Sequence, residues 1–324
     1  MIDLSSEYAI GIDIGGTNTK YGIVNHRGEI IAKGDLKTDA YPTIELFVDA
    51  LYDKLMPLIA ANTKDGKVKG IGIGAPNGNY YSGTIEYAPN LIWRGIIPLT
   101  KLVTEKFGLP CSLTNDANAA AVGEMNYGAA RGMRDFIMIT LGTGVGSGIV
   151  ANGQLILGHD GFAGELGHAT IIPGGRKHWS TDLYGSLEAY CSATGIAVTA
   201  RELLEKHNDD ESLMRSYDPK SIDSKIVYEC AIKGDAIAQE VYRFTGEVLG
   251  LALANFIMFS SPEAIILFGG VIKAGDLLLN PTKEHMEKNL LPIFQNKIKL
   301  IFSELKEADA AILGASALVW EIRE

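Results

Sequence analysis

A glycine-rich turn near the start of the chain has the composition of a phosphate-binding loop. Residues 15–19 (Gly-Gly-Thr-Asn-Thr) follow the apolar segment 9–12 and Asp13, and precede the apolar segment 20–24. Adjacent glycines permit positive φ and let a ligand approach the backbone amides closely. Asp13 beside the turn suits Mg²⁺, held through water. The residues expected to contact phosphate are Gly15, Gly16, Thr17, Asn18 and Lys20.

The order of residues excludes two common phosphate-binding motifs. A P-loop needs Gly-Lys-Ser/Thr at the start of a helix, whereas here Thr19 precedes Lys20 and an apolar strand follows. A dinucleotide fingerprint also needs a helix start after its glycines. A plain hairpin turn remains the alternative, but Asp13 disfavours it because a carboxylate at a buried strand end needs a partner.

A second glycine-rich turn, residues 142–148, lies between the predicted strands 136–141 and 147–150. A hairpin built only for shape is the alternative, but hydroxyls combined with free amides suit phosphate oxygens. The residues expected to contact phosphate here are Thr140, Gly142, Thr143 and Gly144. Gly269-Gly270 follows a further predicted strand and could let an adenine ring lie against the backbone.

Asn115-Asp116 ends a predicted strand just before an alanine-rich helix. Ligands of α/β sheets bind beyond the carboxyl ends of strands, so Asp116 is well placed to act as a general base. The alternative is that Asp116 only caps the helix. We expect Asn118 to supply that cap, which would free Asp116 for chemistry.

Glu165, His168 and Glu188 form a second polar group, in glycine-rich and apolar surroundings. Carboxylates and an imidazole can bind several hydroxyls of a neutral polyol. A zinc site is one alternative, although the spacing matches no common zinc motif. A structural role for His168 is another. The histidines given no role are His26, His159, His178, His207 and His285.

These residues are positioned by alternating strands and helices, which predict an α/β protein with two sheets around a cleft. The predicted strands are 9–12, 20–24, 29–33, 68–74, 111–114, 136–141, 147–150, 263–268 and 298–302. The predicted helices are 43–61, 99–107, 118–127, 187–207, 224–233, 235–259, 281–291 and 308–321. Glycines alternate with apolar residues in 68–74, so another element should pack closely there. We expect the closing helix to cross back onto the first domain, and the two strand–turn–strand units to reflect an internal duplication.

Composition bounds the class of protein. A chain of 324 residues favours two domains, and a net charge of −10 argues against a nucleic-acid surface. The longest apolar run, near 248–259, is too short to span a bilayer, and the first residues lack the features of a secretory signal. Three scattered cysteines are typical of a reduced, cytoplasmic protein. They are Cys111, Cys191 and Cys230.

Four stretches together resemble the ROK family of sugar kinases and sugar-responsive repressors. They are Asp13-Ile-Gly-Gly-Thr-Asn-Thr-Lys20, Asn115-Asp116-Ala-Asn-Ala-Ala-Ala121, Leu141-Gly-Thr-Gly-Val-Gly146 and Gly164-Glu-Leu-Gly-His168. The resemblance implies an actin-like ATPase fold (ribonuclease H-like) of two α/β domains. We predict a smaller domain of residues 1–116 plus 305–324 with the first phosphate loop. Residues 117–304 would form a larger domain with the second loop and most sugar contacts.

The resemblance also implies roles for single residues. Asp116 matches the catalytic base, and Asp13 would orient magnesium. The matching sugar ligands are Asn90, Asn115, Glu165, His168 and Glu188. Family repressors carry an N-terminal helix-turn-helix, and so few residues precede the first strand here that we expect no repressor function.

The sequence departs from the family at a zinc motif. Many members have Cys-x-Cys-Gly-x-x-Gly-Cys just before Leu-Glu, which binds zinc together with the Gly-His histidine. Counting back from Leu187, the cysteine positions hold Trp179, Thr181 and Ser186, and none of these supplies a thiolate. We therefore expect no structural zinc and expect His168 to serve the sugar alone. Packing of Trp179 and Tyr184 would then hold the loop 174–185.

These observations predict an ATP- and Mg²⁺-dependent kinase for the 6-hydroxyl of a hexose, with glucose as the expected substrate. A kinase for N-acetylglucosamine, mannose, N-acetylmannosamine or fructose would keep every motif. A sugar sensor without catalysis is a further alternative, and an actin-like ATPase or chaperone would not need Glu165, His168 and Glu188. The resemblance suggests a homodimer, and the composition suggests a cytoplasmic protein that binds neither nucleic acid nor membrane.

Overall fold

The computed structural model describes residues 7–63 and 66–321. The strands are β1 Glu7–Ile14, β2 Asn18–Asn25, β3 Ile30–Lys37, β4 Lys67–Gly74, β5 Gly78–Asn79, β6 Thr84–Glu86, β7 Ile96–Ile97, β8 Cys111–Thr114, β9 Phe136–Leu141, β10 Val145–Ala151, β11 Gln154–Leu155, β12 Ala264–Phe268 and β13 Lys299–Phe302. The helices are α1 Ile44–Asn62, α2 Leu99–Phe107, α3 Asp116–Tyr127, α4 Glu188–Cys191, α5 Ala193–Lys206, α6 Ser224–Ala231, α7 Ala236–Ser260, α8 Asp276–Lys288 and α9 Glu307–Ala317. Mixed α/β architecture is confirmed.

The first sheet has the order β3-β2-β1-β4-β8. Strands β1, β4 and β8 are parallel, and the register aligns Asp13 with Gly74 and Gly74 with Thr114. Three strand ends therefore meet in one row at the same sheet edge. On one face, α1 buries an i, i+3, i+4 series of apolar side chains that includes Phe47 and Leu51.

Helix α9 covers the first sheet at its glycines. A Cβ added to Gly72 would overlap the carbonyl oxygen of Ala315, and one added to Gly11 would overlap that of Ile312. Only glycine allows the helix backbone to come this close to the strands. The packing confirms that an element lies against the glycines of β4 and that the closing helix returns to the first sheet.

The second sheet has the order β11-β10-β9-β12-β13, in which β12 is parallel to both β9 and β13. If the five strands of each sheet are numbered 1 to 5 in chain order, both sheets have the spatial order 3-2-1-4-5. The shared order is consistent with the predicted duplication. A short three-stranded sheet, β5-β6-β7, accompanies the first sheet.

The chain divides into two compact units whose bounds differ from the predicted domains. Unit 1 comprises Met1–Met133, Gly148–Gly164 and Ser303–Glu324, and unit 2 comprises Arg134–Ser147 and Glu165–Phe302. The main difference is that α3 lies in unit 1, because its Gly123 packs against Gly314 of α9. Residues 1–6, 64–65 and 322–324 of the predicted domains lie outside the described residues.

Most predicted helices differ from the structure by a few residues at their ends, and two differ in a way that matters for the site or the chain path. The predicted helix 187–207 is wrong as one element, because Ser192 is extended (φ −76°, ψ 165°) and separates α4 from α5. The Ser192 hydroxyl accepts the Gly195 amide and thereby caps α5. The predicted helix 281–291 begins earlier, at Asp276, with Pro281 inside it.

Within residues 7–63 and 66–321, no helix combines the length and apolar character needed to cross a membrane.

Candidate active site

Two carboxylates of unit 1 lie at one edge of the first sheet. Asp13 is aligned with Gly74 and, through it, with Thr114, and Asp116 follows Thr114 by two residues. A Cβ on Gly74 would stand 3.7 Å from the Asp116 Cα, so the backbone of β4 passes directly beside the start of α3. The parallel register thus brings two residues together that are far apart in the chain.

Asp116 is the first residue of α3, and the residue is exposed. The residue that caps the helix is Asn115, whose Oδ1 accepts the Asn118 amide at 2.7 Å, so the predicted cap by Asn118 is wrong. Asp116 Oδ1 accepts the Ala117 amide at 2.9 Å. Although Asp116 is exposed, partial desolvation of its carboxyl group raises its pKa, and the Ala117 amide opposes the rise. The side chain is therefore both reachable and a better base than a free aspartate.

Asp13 is half-buried and has an unusual affinity for a proton. Its pKa is raised from 3.8 to about 6, mainly by burial and also by the charge of Asp116, while Lys20 lowers it. Lys20 stands opposite Asp13 in the β1–β2 ladder. Two carboxylates with one nearby ammonium leave negative charge that a divalent cation would neutralise. The oxygen donors therefore fit magnesium, which accepts one or two carboxylates together with water and phosphate.

The first glycine turn is tight for a steric reason. Neither Gly15 nor Gly16 has a positive φ, contrary to the sequence-based expectation. A Cβ on Gly16 would lie 2.5 Å from the Asn90 carbonyl oxygen. The Gly15 amide donates to the Asn18 carbonyl at 3.0 Å, and Thr17, Asn18 and Lys20 are exposed. Glycine is required here because the backbone of residue 90 lies against the turn.

The second turn belongs to unit 2 and is partly closed on itself. Thr140 Oγ1 accepts the Gly146 amide at 3.1 Å, and the Gly142 amide donates to the Gly144 carbonyl at 3.0 Å. The Gly142 carbonyl accepts the Ala193 amide at 2.8 Å, which ties the turn to the start of α5. Thr143 is exposed at the tip. Thr140 therefore shapes the turn, while Thr143 and Gly144 are accessible to a ligand.

Gly269 and Gly270 follow β12 in unit 2. Gly269 has φ of +108°, and a Cβ on it would overlap the Leu141 carbonyl. Glycine is therefore required at this position for two reasons, the backbone conformation and the lack of space. Gly270 is exposed, with open space where a Cβ would stand. An adenine ring could approach the backbone at Gly270.

Val145 in unit 2 connects Glu188 with the turn that carries Glu165 and His168. The turn that carries Glu165 and His168 packs through Gly167, where a Cβ would overlap the Val145 carbonyl. The Val145 amide donates to Glu188 Oε2 at 2.6 Å. His168 Nε2 lies 3.8 Å from Glu165 Oε2. The structure thus brings together the three residues that the sequence grouped.

His178, which the sequence analysis gave no role, lies in the middle of this group. Its side chain is fully buried, its Nε2 is 2.6 Å from Glu188 Oε1, and its ring centroid is 6.0 Å from that of His168. No periodic pattern marks it, since it stands in a loop between Lys177 and Trp179. The only sequence signal for this loop was that Trp179, Thr181 and Ser186 replace the family's cysteines, which indicated that the loop must be held in another way.

The loop 174–185 is held by an anchor that the sequence did not predict, in addition to aromatic packing. Trp179 and Tyr184 are 45% and 52% exposed, and the Trp179 ring packs against His178 with a centroid distance of 4.2 Å, so packing by these residues is one part of what holds the loop. Arg176 is the main anchor: Nη1 donates to the Ala189 carbonyl at 2.6 Å and to the Gly195 carbonyl at 3.2 Å. Its guanidinium lies 4.6 Å from the Tyr190 ring centroid and pairs with Glu202.

The residues of this loop do not fit a zinc ion. The cysteine positions hold an indole and two hydroxyl side chains, which are poor zinc ligands. In the part of the chain that the structure describes, no three His, Cys, Asp or Glu side chains are grouped to hold a metal. The absence of zinc stays a prediction that rests on this chemistry.

Comparisons with known proteins agree on one family. A sequence profile of the ROK family matches residues 9–322. The chain is 38% identical to a glucokinase of Halalkalibacterium halodurans, covering 98% of this chain and 96% of that one. It is 32% identical to a glucokinase of Thermotoga maritima, covering 96% and 97%.

A solved structure has the same fold. The ROK family glucokinase of Streptomyces griseus, in complex with glucose and AMPPNP, superposes with a TM-score of 0.77 at 32% identity, covering 97% of this chain and 100% of that one. The fold is therefore the two-domain, actin-like ATPase fold of the ROK sugar kinases. By profile, sequence identity and fold, this chain belongs to the ROK family.

Proposed function

We propose that this protein is an ATP-dependent hexokinase that transfers the γ-phosphoryl group of ATP to the 6-hydroxyl of glucose. The observation that carries the proposal is the placement of Asp116: the residue is exposed at the edge of the first sheet, beside Asp13, and its Oδ1 accepts the Ala117 amide. Relatives at 38% and 32% identity are glucokinases, and the Streptomyces griseus structure contains glucose and AMPPNP.

Asp116 would act as the general base. It would accept the proton of the 6-hydroxyl as that oxygen attacks the γ-phosphorus. A raised pKa makes the carboxylate a stronger base, and general-base catalysis contributes roughly 10²–10⁴-fold to a rate. Phosphoryl transfer otherwise needs positioning and charge neutralisation more than covalent chemistry.

Asp13 would hold magnesium through water, and bound magnesium would neutralise charge on the β- and γ-phosphate oxygens. The carboxylate is suited to this role because it lies beside Asp116 and because the positive charge of Lys20 only weakly offsets the negative charge of the two aspartates. Lys20 would add a positive charge near the phosphates.

The two glycine turns would bind phosphate, each within its own unit. In unit 1 the exposed donors are Thr17, Asn18 and Lys20, beside Gly15 and Gly16. In unit 2 they are the exposed Thr143 and the half-buried Gly144, with Gly142 and Thr140 shaping the turn. Gly269 and Gly270 would face the adenine.

The sugar would be bound by oxygen acceptors and an imidazole. Asn90 and Asn115 belong to unit 1, and Glu165, His168 and Glu188 belong to unit 2. Several acceptors match a ligand that presents several hydroxyls, because every unpaired buried hydroxyl would weaken binding.

A panel of sugars tests the proposal and separates its alternatives. ADP release should be fastest with glucose, and an enzyme-coupled assay should detect glucose 6-phosphate. The control is 6-deoxyglucose, which keeps the ring hydroxyls and lacks the acceptor oxygen, so it should give no turnover and should inhibit competitively. Faster turnover with N-acetylglucosamine, mannose, N-acetylmannosamine or fructose would replace glucose as the substrate. Sugar binding without any ADP release would instead indicate a sensor.

We also propose that the protein is a cytoplasmic homodimer. The dimer follows from the family resemblance, and the compartment from the three scattered cysteines. Cys191 and Cys230 are buried, and none of the three cysteines forms a disulfide within the described residues. Sedimentation equilibrium tests the dimer, and a mass of 34.8 kDa would refute it.

A further inference from the structure

Both oxygens of the Glu188 carboxylate are held by protein donors. Oε2 accepts the Val145 amide at 2.6 Å, and Oε1 lies 2.6 Å from His178 Nε2. A carboxylate has about four lone-pair sites, so two remain for sugar hydroxyls. Two short hydrogen bonds on different oxygens fix the plane of the carboxylate, which one bond would leave free to rotate.

The surroundings of His178 determine which of its nitrogens carries the hydrogen. The Ser180 amide lies 3.2 Å from Nδ1, and an amide can only donate. Nδ1 is therefore an acceptor, and the ring hydrogen is on Nε2. His178 is thus a donor to Glu188 Oε1, set in that tautomer by the backbone of its own loop.

The position of His178 leaves little room for another orientation. Its side chain is fully buried, and the Trp179 ring lies against it with a centroid distance of 4.2 Å and a 31° angle between planes. The edge of His168 is on another side, 6.0 Å away between centroids. Rotation of the imidazole would break the Ser180 contact and the Glu188 contact together.

Arg176 holds the same loop by a separate set of contacts. It reaches the backbone of α4 and α5 through two carbonyls, those of Ala189 and Gly195. These contacts anchor the loop without involving Glu188. The loop would therefore keep its place even without the His178–Glu188 hydrogen bond. Its direct effect is on the carboxylate that faces the sugar.

We propose that His178 is a positioning residue for glucose: its Nε2–H, directed by the Ser180 amide, orients the Glu188 carboxylate so that the remaining lone pairs accept sugar hydroxyls. This inference rests on the proposed function, because it concerns how the sugar ligand Glu188 is held. An imidazole would thus orient a sugar ligand from a loop that lacks the family's cysteines.

The test compares two substitutions of His178 and two of a matched histidine. His178→Leu removes the donor at similar volume, and His178→Gln keeps an N–H close to the position of Nε2. His285 is the control, since it is also in unit 2 and faces a glutamate, Glu247, at 3.7 Å. Steady-state kinetics are measured for glucose at saturating ATP and for ATP at saturating glucose.

We expect His178→Leu to raise the glucose KM by roughly 10- to 100-fold, the usual effect of losing a hydrogen bond to a charged group. The ATP KM should change far less, and His178→Gln should recover most of the loss. His285→Leu and His285→Gln should leave both constants unchanged. In a Glu188→Gln background, His178→Leu should change the glucose KM by about twofold or less, because the two residues act as one unit.

A long-range ¹H–¹⁵N spectrum of the wild-type protein gives an independent readout of the tautomer. The His178 signals are those missing from His178→Gln, and they should show the hydrogen on Nε2. A hydrogen on Nδ1, an unchanged glucose KM in His178→Leu, or additive effects in the Glu188→Gln background would each overturn the inference while glucose phosphorylation by the wild type still stood. A wild type without sugar-dependent ADP release would overturn the proposed function and this inference with it.

Discussion

Asp13 and Asp116 lie at the same sheet edge but have different surroundings. Asp116 starts a helix, accepts one amide and is exposed, whereas Asp13 is half-buried opposite Lys20. Different environments of two carboxylates are the usual way in which an enzyme separates their roles. We therefore assign proton transfer to Asp116 and the metal to Asp13.

Asp116→Asn should lower kcat by roughly 10²–10⁴-fold and leave glucose affinity within a few-fold, because asparagine keeps the shape and cannot accept the proton. Turnover is measured by ADP release and affinity by calorimetric titration of glucose. Asp276→Asn is the matched control, since Asp276 is also the first residue of a helix. Near-normal turnover of Asp116→Asn with intact glucose binding would contradict the assignment.

Asp13→Asn should stabilise the protein at neutral pH. The folded-state pKa of Asp13 is raised from 3.8 to about 6, so the folded state holds this proton more tightly than the unfolded state. Wild-type stability should therefore fall as pH rises from about 4 to 6 and should stay lower above that range. Asparagine removes the penalty, which is up to about 3 kcal/mol at pH 7.5 for a shift of about two units.

Chemical denaturation in magnesium-free buffer at pH 4, 5, 6 and 7.5 measures this effect. The advantage of Asp13→Asn over the wild type should grow across that range and vanish at the lowest pH. Asp209→Asn, at an exposed position, controls for the loss of a surface charge. An advantage that does not change with pH would show that Asp13 has no raised pKa.

At this scale the sequence predicted the candidate site residues but not their neighbours. Asp116, Glu165, His168 and Glu188 were recognisable because their spacing matches family motifs. His178 was not, since its contact with Glu188 is made by a loop without periodicity. Asp116 is not the helix cap, as expected, but the expected reason was wrong because the cap comes from Asn115 and not from Asn118.

At the scale of elements, glycines allow the close contacts that build unit 1. The backbone of α9 lies directly against Gly72 and Gly11, and its Gly314 lies against Gly123. The backbone of residue 90 lies in the same way against Gly16. The alternation of glycine in β4 predicted such a contact from sequence. It could not predict the partner, because the helix that fills the space is more than 200 residues away.

Gly72→Ala should destabilise unit 1 severely, because its Cβ would overlap the backbone of α9 and neither element can give way cheaply. We expect a loss of roughly 3 kcal/mol or an insoluble protein. Thermal unfolding and the soluble yield measure the effect. Gly108→Ala is the comparison: Gly108 has φ of +67° and open space, so it should cost about 1 kcal/mol from backbone strain alone. Equal losses in the two variants would contradict the steric account.

The break between α4 and α5 also belongs to this scale. A continuous helix was the natural prediction, since apolar residues continue at helical spacing. The break at Ser192 leaves Glu188 in a short helix and Ala193 free to bind the second turn. A serine that caps a new helix looks the same in sequence as a serine inside one, so the local pattern alone did not reveal it.

For the whole molecule, the proposed function predicts that ligands stabilise the fold. Glucose at 100 times its dissociation constant should add about 2.7 kcal/mol, which corresponds to a rise in Tm of about 5 °C. Differential scanning fluorimetry measures the rise, with L-glucose as the control that should give none. A nonhydrolysable ATP analogue should give a rise of its own, and no shift with any hexose would contradict a sugar site.

Fold class was predictable at this scale because strands and helices alternate and because the motifs match one family. The unit bounds were not. Each unit is assembled from separate stretches of chain, and the decisive contacts, such as α3 with α9, join residues that no local pattern links.

The late position of α9 in the chain has a consequence for synthesis. Strands β1, β2 and β4 emerge from the ribosome within the first 74 residues, whereas the helix that covers their glycines begins at residue 307. At 5–20 residues per second, the ribosome needs roughly 10–50 s to make the chain between them. During that interval the face of the first sheet that α9 covers is exposed, so unit 1 can complete its fold only after α9 has been synthesised.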